Sequence, residues 1–205
     1  MKPLNEKLCA DLLEAGKKEF LEKGFLGASM RSIAASLGVT TGAIYRYYTD
    51  KEALFDTLVE GPAKEMEKKY RGVQQEFARL PVTEQLAGLP KISEEGQDWM
   101  FRAIYDNFDA FKLIACCSVG TKYEHYIDGL VEIEANASRV LLERMEEDGM
   151  PICSLDDELI HMVSNMLFSG MFETVRHDMS REKAERYFTT LREFYAAGWF
   201  KILGI

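Results

Sequence analysis

Residues 29–51 constrain this chain more than any other segment. Met30, Ile33, Ala34 and Leu37 recur at i, i+3, i+4 and i+7, the apolar stripe of a short helix. Ser29 stands at its N-cap, and Gly38 follows its last apolar residue as a C′ glycine does. Val39 then marks a tight turn, and Thr40 is placed to cap a second short helix running to about Tyr48. Two short helices separated by a Gly-containing turn predict a helix-turn-helix, whose second helix enters the major groove. The segment therefore points to DNA binding.

The second helix has the chemistry for that task. Val39, Ile44 and Tyr48 are expected to face inward, leaving Thr41, Gly42, Tyr45, Arg46 and Tyr47 outward. Gly42 removes a side chain where a backbone would approach the duplex closely. Thr40 and Thr41 offer hydroxyls to phosphates and methyls to thymine. Arg46 suits a guanine edge or a phosphate, and the Tyr45 and Tyr47 phenols suit phosphate oxygens. Ser29, Arg31 and Lys51 complete the candidate DNA-contacting set.

Residues 5–55 resemble the DNA-binding domain of the TetR family of bacterial transcriptional regulators. The resemblance begins with Ala15-Gly-Lys-Lys-Glu-Phe20 and Lys23-Gly24-Phe25. It continues through Ser29-Met-Arg-Ser-Ile33-Ala34, Leu37-Gly38-Val39, Thr41-Gly42-Ala43-Ile44-Tyr45 and Lys51-Glu52-Ala53-Leu54. Thr41 stands where the family often has a basic residue, and Tyr48 where it often has Phe. The resemblance implies an all-α protein with a three-helix helix-turn-helix domain over residues 1–50. A long helix 4 would join it to a helical-bundle effector-binding and dimerisation domain over residues 51–205. It further implies a homodimer on palindromic double-stranded operator DNA, most simply a repressor released by a small hydrophobic effector.

The net charge of −9 suits a DNA binder only once it is divided. Residues 1–51 hold eight Lys/Arg against six Asp/Glu, a balance of +2, and the remainder carries −11. The N-terminal end can approach phosphate while the acidic body stays off it. Neither a membrane-length apolar run nor a signal-peptide stretch is visible, so a cytoplasmic protein is expected. Cys9, Cys116, Cys117 and Cys153 are too few and too irregularly spaced for a disulfide scaffold or zinc ribbon.

Beyond the motif the chain reads as successive helices. Leu8, Leu12, Ala15 and Phe20 line helix 1, which Gly24 is expected to end. Asp50 is placed to cap helix 4, which Gly61-Pro62 should interrupt as a kink or hinge. Pro81, Gly88 and Pro90 predict a break over 80–93. Helical stretches are then expected at roughly 94–118, 122–148, 155–178 and 181–202, with Ser154-Leu-Asp-Asp157 resembling a capping box. The last two read as a pair whose apolar faces exceed what one subunit can cover. Met162, Met166, Gly170, Leu191, Phe194, Tyr195 and Trp199 are the candidate dimer contacts.

Residues 99–126 supply more aromatics than one helix face can hide. Trp99, Tyr105, Asp106, Phe108, Cys117, Tyr123, Tyr126, Met166 and Phe172 are the candidate effector pocket, and one buried carboxylate there would favour a cationic aromatic effector. Two other readings stay open. Cys116-Cys117, with Cys153 or His125, would suit a metal- or redox-sensing regulator or an activator on the same fold. Glu158-Leu-Ile-His161 is a single Glu-x-x-His, of which a helical metalloenzyme would need two. No phosphate loop, zinc-protease motif or nucleophile elbow is present, so neither catalysis, cofactor nor metal is expected.

Overall fold

The computed structural model describes residues 5–150 and 155–203. Among them it places nine α-helices and no strand. The chain divides into two compact units that interleave in sequence. One is Met1–Lys64 with Asn107–Tyr126, and the other is Glu65–Asp106 with Ile127–Ile205.

In the first unit, α1 (Glu6–Gly27) starts at Asn5, whose Oδ1 accepts from the backbone N–H groups of Lys7 and Leu8. Gly24 breaks the helical path at φ +67°, as its position predicts, but a further turn to Gly27 follows it. α2 (Met30–Ser36) is capped by Ser29, which accepts from Ser32 N–H at 3.1 Å. It ends as the glycine predicts: Gly38 takes φ +65°, Gly38 N–H returns to Ala35 and Val39 N–H to Ala34. α3 is a single turn, Thr41–Ile44, shorter than the helix expected to reach Tyr48. Residues 45–47 continue only as turns, with Tyr47 and Tyr48 N–H both bonded to Ile44 O.

The core of this unit centres on Phe20, Phe25 and Phe55, with the Phe20 and Phe55 rings meeting edge-on at 5.1 Å. Phe20 and Phe55 are wholly buried, each contributing about 1.5–3 kcal/mol relative to exposure. Gly16 lets α4 (Lys51–Ala78) approach α1, because a Cβ there would lie 2.8 Å from Leu54 Cδ2. α6 (Phe108–Cys117) packs along α1, with Lys17 Nζ 2.8 Å from Asp109 Oδ2.

α4 runs unbroken through Pro62, against the interruption expected at Gly61-Pro62. A proline ring clashes with the Cβ of the residue before it in a helix, and Gly61 has none. The second unit takes the end of α4, α5 (Val82–Asp106), α7 (Tyr126–Glu147), α8 (Asp157–Arg176) and α9 (Arg181–Leu203). The break expected over 80–93 falls instead at Arg79, Leu80 and Pro81, because α5 passes through Gly88 and Pro90. Burial outweighs propensity there. Val82 and Leu86 pack with Leu141 and Met145, and Leu89 packs with Ala135, Leu142, Ile160 and Leu203. The stretch expected as one helix over 94–118 is divided at Asn107, and α7 starts at Tyr126 after a turn closed by Thr121 Oγ1 on Ser118 O. α8 is capped by Asp156, whose carboxylate accepts from Leu159 N–H at 2.9 Å, while Ser154 of the expected capping box lies outside the described residues.

Candidate nucleic-acid interface and ligand cavity

The helix-turn-helix is held from behind by a carboxylate. Glu19 on α1 is nearly buried and accepts from Lys23 Nζ at 2.9 and 3.0 Å, Ser32 Oγ at 3.0 Å and Ser29 N–H at 3.3 Å. Burial alone would raise its pKa, but these donors together hold it below the ordinary carboxylate value. Glu19 thus ties the start of α2 to α1. Sequence reading assigned it no role, since the bond to Ser32 spans thirteen residues.

In front, Thr40, Gly42, Tyr45 and Arg46 are exposed, Thr41 is half-buried, and Ile44 and Tyr48 are buried as their spacing predicts. Ser29 and Arg31 are also exposed, with the Ser29 and Thr40 hydroxyls serving as caps. A Cβ on Gly42 would meet only Thr40 Oγ1, at 4.0 Å, so nothing within the chain demands a glycine there. Two candidates are engaged internally. The Tyr47 phenol accepts from Asn5 N–H at 3.0 Å and so fastens the start of α1. Lys51 turns inward, donating to the carbonyl oxygens of Phe25 and Ala28 with Nζ 4.3 Å over the Phe25 ring.

The second unit contains a cavity of about 100 Å³ bounded by α4, α5, α7, α8 and α9. Its wall is largely apolar, including Val73, Phe77, Leu89, Ile92, Trp99, Met100, Leu141, Leu167, Trp199 and Phe200. Polar groups enter from Tyr70, Gln74, Ser93, Gln97, Glu134, Ser138 and Tyr195. Glu134 accepts from the Tyr70 hydroxyl and from Gln74 Nε2 at 2.8 Å. Burial raises the Glu134 pKa, and the two hydrogen bonds oppose that rise. Burial and the Glu134 charge push both the Tyr70 and Tyr195 phenols upward.

Of the nine expected pocket residues, Trp99 lines this cavity. Tyr105 stacks on Phe101 with its hydroxyl on Met179 O, and Asp106 is exposed and paired with Arg181 at 2.6 Å. Met166 is exposed, while Phe172 is wholly buried away from the cavity wall. Phe108, Cys117, Tyr123 and Tyr126 belong to the first unit, where the Tyr126 hydroxyl donates to Ala63 O. The single helix expected to carry the first of these aromatics divides at Asn107, which is also where the two units part in sequence. Tyr195 and Trp199, expected at a dimer contact, are half-buried and line the cavity. Met162, Met166, Leu191 and Phe194 are exposed, and Gly170 lies half-buried where a Cβ would sit 3.5 Å from Leu191 Cδ1.

His161 Nδ1 lies 3.0 Å from Glu132 on α7, and among the described residues no three potential metal ligands cluster. Burial pushes the Cys117 thiol up to about 11, and Cys153 lies outside the described residues. Among the described residues, no helix is long and apolar enough to cross a membrane.

Residues 12–58 match the family described as bacterial regulatory proteins, tetR family. The transcriptional regulator Rv1816 of Mycobacterium tuberculosis is 35% identical over 54 residues, covering 26% of this chain and 23% of that protein. The transcriptional repressor AcnR of Corynebacterium efficiens is 35% identical over 65 residues, 32% of this chain and 34% of the relative. The matched segment thus spans between about a quarter and a third of these curated relatives. The crystal structure of the TetR-family regulator PfmR of Thermus thermophilus shares the fold. Its TM-score is 0.55 at 17% identity, covering 90% of this chain and 96% of that one.

Proposed function

We propose that the chain, whose residues 12–58 match the tetR family of bacterial regulatory proteins, is a ligand-responsive, DNA-binding transcriptional repressor of that family without catalytic activity. It acts in the cytoplasm as a homodimer on a palindromic operator. The exposed face of the second helix carries this reading. Gly42 there has open space around its missing side chain, which leaves room for a duplex backbone to approach closely. Arg46 reads a guanine edge or neutralises phosphate, while Thr40, Thr41 and Tyr45 hydrogen-bond to phosphate, with Ser29 and Arg31 flanking them. Tyr47 and Lys51 act behind this face, as positioning residues.

The second copy is supplied by two exposed apolar rows. Leu159, Met162 and Met166 stand at i, i+3 and i+7 on α8, and Tyr187, Leu191 and Phe194 at i, i+4 and i+7 on α9. Such a surface on paired helices suits a four-helix contact with its own symmetry mate.

The effector occupies the cavity around Trp99 and Glu134. α4 belongs to both units, so a displaced Tyr70–Phe77 wall reaches the DNA-binding unit along one continuous helix. Two half-sites one helical turn apart tolerate little change in the separation of the recognition helices, and release follows. Selection of DNA from a random pool by the purified full chain tests the reading. An imperfect palindrome is expected, and a folded dimer that enriches no sequence would refute it.

A further inference from the structure

The cavity wall is chemically one-sided. Among its lining residues there is one carboxylate, Glu134, and no Lys, Arg or His. Both hydrogen bonds to that carboxylate, from the Tyr70 hydroxyl and Gln74 Nε2, end on Oε2. No donor from the described residues reaches Oε1. A second acceptor stands in the same wall. Gln97 is 3% exposed, its Nε2 donates to Ser93 Oγ at 2.9 Å, and its Oε1 is buried without any partner. An unmet buried acceptor is unfavourable unless something donates to it, and an anion placed here would meet a like charge with no cation to offset it.

We propose that this cavity binds a small apolar amine, whose protonated nitrogen donates to Glu134 Oε1 and Gln97 Oε1 while a hydrophobic body of about one aromatic ring packs against Phe77, Ile92 and Trp99. As an effector assignment it rests on the regulator reading above. The charge carried by Glu134 selects the cation, and the apolar wall selects the body. An apolar cavity of about 150 Å³ accepts benzene, whereas this one alone holds about 100 Å³, so one ring with its ammonium must extend beyond it. It adjoins an outer groove of about 440 Å³ with which it shares Val73, Phe77, Ile92, Gly96 and Trp99. Trp99 stands between the two, with Lys69 Nζ 4.2 Å over its ring on the outer side. Lys69 lines that outer groove and not the cavity wall.

Four near-isosteric probes, benzylamine, benzyl alcohol, toluene and benzoate, test this against the full chain by calorimetry and thermal unfolding. Benzylamine is expected to bind about tenfold or more tighter than benzyl alcohol or toluene, and benzoate not to bind. Glu134→Gln, which keeps an acceptor for Tyr70, should bring benzylamine down to the level of the alcohol. Gln97→Met should weaken benzylamine independently. Gly96→Leu should weaken all three binding probes by filling the shared passage, in a helix that gains propensity from the change. Equal binding of toluene or benzoate, no binding of any probe, or unchanged benzylamine binding in both Glu134→Gln and Gln97→Met would overturn the proposal. Titrating benzylamine into the protein on a selected operator separates the two readings. Operator binding without amine binding overturns the ligand class alone. Amine binding that leaves operator affinity unchanged supports the ligand class and overturns the effector role.

Discussion

The carboxylate of Glu19 holds the hydroxyl of Ser32 at 3.0 Å, and through Ser29 N–H it also grips the residue that caps α2. Its folded pKa lies below the ordinary value of 4.5, so this stabilisation is fully present above that pH and is lost as pH falls through the depressed value. Glu19→Ala removes these bonds to exposed and half-buried donors and is expected to cost about 0.5–1.5 kcal/mol of unfolding free energy near neutral pH. The loss should shrink on acidification, when the wild type loses the same interaction. Chemical denaturation at several pH values checks this, and a pH-independent loss would contradict it.

Arg46 and Lys51 should separate cleanly in DNA binding. Arg46→Ala is expected to cost about 1–3 kcal/mol of operator affinity, relaxing preference at one base pair if the guanidinium reads a base, or lowering the salt slope by about one if it contacts phosphate. Lys51 Nζ is engaged with the Phe25 and Ala28 carbonyls. Lys51→Met should therefore lower the melting temperature while leaving the salt slope unchanged. A reduced slope would return Lys51 to the phosphate contacts.

Signals that act over a few residues were legible in advance. Ser29, Gly38 and Thr40 form caps and a turn whose geometry depends on their own backbone, and all three occur where their residue types predict. Features decided by distant partners were not. Gly88 and Pro90 look like breakers until Val82, Leu86 and Leu89 are seen packed on α7. Glu134 looks like one more acidic residue on an amphipathic helix, and its burial follows from Tyr70 and Gln74, sixty or more positions away. The carboxylate expected among the aromatics, Asp106, is exposed, whereas the one that lines the cavity, Glu134, carries no local signal.

Phe194 is 67% exposed in the single chain, whereas Trp199 lines the cavity. Phe194→Asp should therefore leave the subunit folded and shift it to monomer, because its charge becomes buried only on association. Trp199→Asp should instead lower the melting temperature by placing that charge in an apolar wall. Sedimentation and thermal unfolding of both variants check the contrast. Stable dimers of Phe194→Asp at micromolar concentration would remove the α8–α9 face from the interface.

Gly42 offers the sharpest division between folding and function. Its missing Cβ faces open space, with Thr40 Oγ1 at 4.0 Å as the nearest atom, and α3 carries it within a helical turn. Alanine is the better helix former, so Gly42→Ala should leave the free protein unchanged or stabilise it by up to about 0.5–1 kcal/mol. If glycine is present because the duplex backbone comes within contact of the helix, the same methyl must push the recognition helix outward and lengthen the Arg46 and Tyr45 contacts together. Operator affinity is then expected to fall about tenfold or more while the melting temperature holds or rises. Thermal unfolding and operator titration on one preparation measure both quantities. A variant that binds operator as tightly as the wild type would show that the helix does not approach the duplex at Gly42, and would require a docking angle led by Arg31 and the Ser29 end of α2.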